Sequence, residues 1–254
     1  MSSAPHGSRA PQINAADSLA PTRKEIELVS TISLEGLIRG FPVYFSTLRR
    51  ILCHPFRFAA QINVQDRAEF QRAIDYAIHG IFVTFVIVIP IFLYHSTDVA
   101  KVAFFARLVV QLTAYGLILH LTLKFLGART VPWRGTLGAY SYLGATGMPL
   151  YILLAYPLLL SLGPAAIFGS ASDVVRMGPQ LLATPWLYHF GVALNGVGLL
   201  GMAVVVPWFA KTHQIGRLRV LLAILASGLI GALVQLVVVA PFFNVVFVWV
   251  EKIL

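Results

Sequence analysis

The sequence predicts an all-α fold that crosses a membrane five times, and three observations predict it. Five apolar stretches, residues 77–94, 102–125, 137–160, 185–210 and 218–250, follow one another from Ala77 onward. Charged residues make up 11% of the 254 residues against 58% hydrophobic, with a mean hydropathy of +0.80, and a soluble domain carries about twice that share of charge. Lys and Arg are abundant in alternate connections and scarce in the others.

Each stretch meets or exceeds the ~20 residues that cross ~30 Å of hydrocarbon as a helix. Exposed peptide groups in lipid cost several kcal/mol, so only helices or closed barrels can cross, and unbroken apolar runs exclude the alternation of a barrel. The first thirty residues are polar, with no apolar run before a small-residue cleavage site, so the first span is expected to direct insertion.

Orientation follows from the basic residues. Fifteen of the 19 fall on one side: nine before the first span, then Lys124, Arg129 and Arg134, then Lys211, Arg217 and Arg219. The other side has Lys101, Arg176 and Lys252, while Arg107 lies within the second span. The positive-inside rule therefore predicts an N-terminus inside and a C-terminus outside. Trp133 and Trp208 then fall at inner ends, and Trp186 and Trp249 at outer ends, where indole prefers the headgroup level. A net charge of +9 implies attraction to anionic lipid on the cytoplasmic face, and a chain this apolar is not expected to bind nucleic acid.

Three regions precede or make up this layout. Residues 1–24, rich in Ala, Pro and Ser without periodic apolar residues, read as a disordered cytoplasmic tail. Residues 25–76 are amphipathic and basic, with apolar residues at three- and four-residue spacings interleaved with Arg39, Arg49, Arg50 and Arg57. These four arginines are the candidate lipid-surface residues. The apolar face either lies in the inner headgroup layer or packs against the ends of the spans. Gly40 and Pro42 are expected to break this stretch into two helices, Pro55 to end one or start the next, and Asn63 and Asp66 to cap a helix leading into the first span. Residues 77–254 form the membrane region.

No catalytic constellation stands out. The seven His are scattered, the single Cys53 excludes an internal disulfide, and acidic residues are too scarce for an intramembrane carboxylate pair, so no cofactor or metal is expected. Polar residues within the spans, chiefly Arg107, Gln111, Thr146, Asn195 and Gln235, either line a shared interior or bridge neighbouring helices. Small residues form stripes at Gly138, Ser141 and Ala145, at Gly191, Asn195 and Gly198, and at Ala223, Ser227 and Gly231, which predicts close contact among spans three, four and five. Pro90, Pro149, Pro157, Pro207 and Pro241 interrupt four spans and are expected to kink them.

Three segments carry a family resemblance. They are Pro55-Phe-Arg-Phe58 before the first span, Leu-Gly-Ala-Arg-Thr-Val-Pro-Trp-Arg-Gly-Thr over residues 126–136, and His-Gln-Ile-Gly-Arg-Leu-Arg-Val-Leu-Leu over residues 213–222. With the five-span layout, residues 52–250 resemble the Yip domain family, the Ypt/Rab-interacting type of membrane protein with many bacterial members. Its Golgi members engage Rab GTPases through a longer acidic segment, whereas the corresponding part here is short and basic, so Rab binding does not carry over. The resemblance implies an integral membrane protein of bacterial type, in a family some of whose members are suspected of transport or of supporting a larger assembly. The basic cytoplasmic helices and small-residue faces lead to the expectation of a non-catalytic scaffold or accessory subunit of the inner membrane, with a protein partner or a second copy in the membrane. The alternative is a small-solute transporter or channel with a polar cavity between spans two, three and four. An intramembrane enzyme is a third reading, for which the sequence supplies the fewest residues.

Overall fold

A computed structural model of the protein describes residues 34–95, 98–162, 178–179, 183–234, 237–238 and 241–242. Among these the regular elements are helices: α1 Leu34–Cys53, α2 Pro55–Gln61, α3 Arg67–His95, α4 Asp98–Phe125, α5 Trp133–Leu154, α6 Tyr156–Leu162, α7 Pro185–His213 and α8 Arg217–Val234. Three of them are long and apolar enough to cross a membrane, through Arg67–Ile91 of α3, all of α7 and all of α8. The α5–α6 pair passes the same test as one bent span, which gives up to four. The described apolar part of α4, Leu112–Phe125, is shorter. Large apolar residues such as Leu121, Leu199, Leu200 and Leu229 lie exposed on these helices, as lipid-facing surfaces require.

Residues 1–39 and 40–254 form two units. Of the first, Arg39 forms an ion pair with Glu35 one turn before it on an exposed helical face. The second holds everything that follows, and α3 runs unbroken through position 76, where the amphipathic region was expected to end.

The expected break at Gly40 and Pro42 does not occur, since α1 continues through both. Pro42 sits on an exposed face, where water can satisfy the carbonyl its missing N–H leaves free. Gly40 lies against the His79 imidazole, so closely that a Cβ would collide with the ring. Pro55 opens α2 at its first position, as a residue whose N–H would be unbonded anyway can do. Asp66 caps α3, its carboxylate accepting the Ala68 N–H at 2.9 Å, and Asn63 accepts the Gln65 N–H at 3.1 Å in the turn before it.

The prolines act unequally. Pro90, Pro149 and Pro207 lie inside continuous helices, whereas Pro157 coincides with a 60° bend between α5 and α6. Pro157 cannot donate to the Leu153 carbonyl and its ring crowds it, so the chain turns at Ala155.

The most extensive helix contact is between α3 and α5, followed by α4 with α8. The third span, α5, therefore packs most extensively on α3, while α7 also contacts α5 and α8. A Cβ on Gly138 would touch Ala73 at 3.5 Å, and one on Gly80 would meet the Ala145 backbone oxygen at 2.8 Å. Gly231 on α8 lies against the Tyr115 ring of α4, where a Cβ would collide. The main core gathers Tyr44, Ile51, Phe58, Tyr76, Leu123, Tyr142, Trp208 and Phe209 at the end of the helices that carries the basic connections. Two smaller cores lie further along: Val88, Ile91, Ile152 and Leu159, and then Ala155, Leu158, Leu187 and Leu194.

Candidate anion-binding site and polar interior

The side of α1 that carries Tyr44 packs against α3 and α5. Tyr44 is buried, stacks on Tyr76 with ring centres 4.8 Å apart, and donates its hydroxyl to the Ala145 carbonyl at 3.3 Å. Burial pushes its phenol up to about 12, so it is a neutral donor at physiological pH. The side of α1 turned away carries exposed Val43, Phe45 and Leu52 together with exposed Arg49 and Arg50.

Where α1 gives way to α2, Arg50, His54, Arg57, Phe58 and Gln61 line a pocket of about 220 Å³. Its aromatic wall is fixed from behind: Phe58 is buried, stacks on Trp208 at 5.8 Å and meets the Tyr142 ring edge-on at 5.1 Å. The Arg50 guanidinium lies over the Phe58 ring, 5.4 Å from its centre, and donates to Gln61 Oε1 at 3.0 Å. Lys211, in the last turn of α7, places its ammonium 5.8 Å from the centre of the exposed Phe56 ring. Among the described residues the ion pairs are those of Arg39 and Arg72, so Arg50 and Arg57 face no carboxylate there.

The polar residues expected within the spans are not brought to one cavity. Thr146 is buried and pairs with Tyr76, oxygen to oxygen 2.8 Å, across the α3–α5 seam. Asn195 is exposed and its amide donates to the Gly191 carbonyl of its own helix at 3.0 Å. The side chains of Arg107 and Gln111, and Gln235 as a whole, lie outside the described residues. Ser227 is buried and donates to the Ile224 carbonyl at 2.9 Å, and Ser141 lines an apolar groove between α3, α4 and α5. Gly191 and Gly198 have no described atom within 4 Å of a Cβ position.

A second polar system was not apparent from sequence. His120 Nδ1 lies 2.9 Å from the Thr136 hydroxyl, which lies 2.8 Å from His213 Nε2, and His213 Nδ1 is 2.8 Å from the Thr212 hydroxyl. All four residues are buried and they join α4, α5 and α7. Beside it, Tyr142 donates to Glu69 at 2.9 Å and Glu69 pairs with Arg72 at 2.9 Å. The signal was present in position rather than in spacing. His120, Thr136 and His213 each lie within two turns of the basic end of a helix, so any layout that brings those ends together puts them at one level. A scan for closely spaced ligands passes over such a set.

A cavity of about 440 Å³ lies among α4, α5, α7 and α8, lined mainly by aliphatic residues with Tyr115, Tyr140, Tyr151 and Ser227 among them. The groove that holds Ser141 measures about 350 Å³. Among the described residues no three His, Cys, Asp or Glu side chains converge as metal ligands, and Cys53 is exposed with a free thiol. Comparison of the chain with protein-family models, with curated proteins and with solved structures found no match.

Proposed function

We propose that the chain is a Yip-like inner-membrane protein of bacterial type, with five spans, its N-terminus in the cytoplasm and its C-terminus outside. It acts without catalysis as a scaffold or accessory subunit, seated on anionic lipid through Arg49, Arg50 and Arg57 and joined within the membrane to a protein partner or a second copy. One observation carries this reading. The bonds of His120, Thr136 and His213 tie together the ends of α4, α5 and α7, which lead into the connections bearing Lys124, Arg129, Arg134, Lys211 and Arg217. A single strongly basic face on an apolar helix bundle is what the positive-inside rule and the anionic inner leaflet both favour.

Reporter fusions test the layout. Fusions after Phe125 and Ala210 should read cytoplasmic, and fusions after Tyr94, Gly163 and Leu254 external. An external signal from the connection after Phe125 would overturn the five-span arrangement.

The cavity among α4, α5, α7 and α8 favours a second reading, a transporter or channel for a small and largely apolar solute. Extraction in mild detergent with mass spectrometry separates the two. A stoichiometric companion chain supports the scaffold, and a monodisperse lone protein supports the transporter.

A further inference from the structure

Diffuse positive charge needs no pocket, yet the corner between α1 and α2 has one, and its polar lining is rich in donors. Arg50 and Arg57 can only donate. Gln61 turns its oxygen to Arg50, since a guanidinium offers no acceptor, and so keeps its NH2 group available to donate elsewhere. His54 adds a ring N–H, and no carboxylate lines the cavity. A concave site with two guanidinium groups, further N–H donors and no carboxylate is complementary to an anion with several acceptor oxygens. A phosphate monoester offers three unesterified oxygens and matches the planar fork of arginine, whereas a carboxylate offers two.

The site is also built in advance. Arg50 is held by the Phe58 ring beneath it and by Gln61 beside it, and Phe58 is itself clamped by Trp208 and Tyr142. Binding therefore gives up less side-chain freedom than at a free surface arginine. Leu52 and Phe56, close in sequence to the lining residues, are exposed apolar side chains, which suits an anion that carries hydrocarbon.

We infer that Arg50, His54, Arg57 and Gln61 form a stoichiometric site for a phosphate ester, presented as the headgroup of an anionic membrane lipid. This rests on the lipid-facing reading of the basic end and goes beyond it, from a charged surface to one defined site. The phosphate is the shared chemistry, and a soluble phosphate ester would use the same donors.

The test uses the full chain in nanodiscs of zwitterionic lipid doped with phosphatidic acid, with lipid retained per chain read by native mass spectrometry. One phosphatidic acid per chain is expected to stay bound. Arg57→Gln should weaken its retention about tenfold, the effect of losing a charge-assisted hydrogen bond, without moving the melting temperature, because Arg57 is exposed and pairs with no described carboxylate. Arg57→Lys should recover part of that loss, since it restores the charge without the fork. Arg129→Gln removes the same charge from an exposed position in the α4–α5 connection and should change retention by less than about twofold. Competition by millimolar inorganic phosphate supports recognition of the phosphate group itself, from either source. Resistance to it supports recognition of the phosphate together with its lipid chains. Equal weakening by Arg57→Gln and Arg129→Gln overturns the site and leaves the charged surface. Loss of any preference for phosphatidic acid over zwitterionic lipid overturns the lipid-facing reading as well.

Discussion

Between α3 and α5 the backbones come so close that a Cβ added at Gly80 would stand 2.6 Å from the Ala145 Cβ, while along the middle of α7 the glycines at 191, 196, 198 and 201 have no described atom within 4 Å of a Cβ position. Both regions carry small residues at helical spacing, the signature that lets membrane helices approach. One stripe is spent on an internal seam and the other on no described neighbour. The seam also holds its polar groups inward, with Tyr76 on Thr146 and Tyr44 on the Ala145 carbonyl, whereas the Asn195 amide of α7 is turned back on its own helix. A small-residue stripe thus marks a face able to pack closely without naming its partner, which depends on the lengths and directions of the connections.

The largest expected effect breaks the seam. Leu at Gly80 must displace Ala145 backbone rather than the end of a flexible side chain, and overpacking of that kind costs about 3 kcal/mol or more. Gly80→Leu is expected to leave little folded protein in mild detergent. Gly198→Leu meets no described atom and replaces a poor helix former by a good one, so stability should hold or rise by up to about 1 kcal/mol. If both variants melt together, the two stripes are equivalent and the contrast fails. If Gly198→Leu melts normally but loses its companion chain, that face belongs to the partner.

Next in size is the polar tie at the basic end. Thr136→Val removes the hydroxyl that serves both His120 and His213 and leaves two buried ring nitrogens without it, at about 1–3 kcal/mol for groups left unsatisfied. Thr212 still reaches His213 through the other nitrogen, which keeps the cost toward the lower part of that range. Asn195→Leu on α7 is the comparison, because it gives up only one exposed bond within its own helix and should change melting by less than about 0.5 kcal/mol. A larger loss at Asn195 than at Thr136 would mean that α7 is bound along its middle.

Helices and their approximate ends were legible because hydropathy reports them directly, and Asp66 and Pro55 worked as start signals because their chemistry is local. Gly40 and Pro42 misled for the same reason: both are helix breakers judged by propensity, yet the His79 ring requires a glycine and the exposed face tolerates the proline. The seam between α3 and α5 was missed because the small residues Ala73, Ala77 and Gly80 of α3 gain their meaning only from Gly138 and Ala145, some sixty residues away. In the candidate site the arginines were legible as charge. Their convergence with Gln61 on the Phe58 wall was not, since it depends on the non-helical His54 between α1 and α2, which brings Arg50 to Gln61 and Phe58.

The smallest effect lies in the seam pair of Tyr76 on α3 and Thr146 on α5. Tyr76→Phe leaves the Thr146 hydroxyl free to turn to the carbonyl of Tyr142, one turn earlier on its own helix, so little is lost. Thr146→Val instead strands a phenol that is 5% exposed and has no comparable backbone carbonyl within its own turn, so this variant should be the more costly. The double variant should cost less than the sum, with a coupling near 0.6 kcal/mol and not above about 1.7 kcal/mol, as for hydrogen bonds between membrane helices generally. Melting of the two single variants and the double in one detergent measures it. No coupling would show that close backbone packing at Gly80 and Gly138 holds the seam alone. A coupling well above that range would show that the tyrosines, rather than the glycines, separate the α3–α5 contact from the open face of α7.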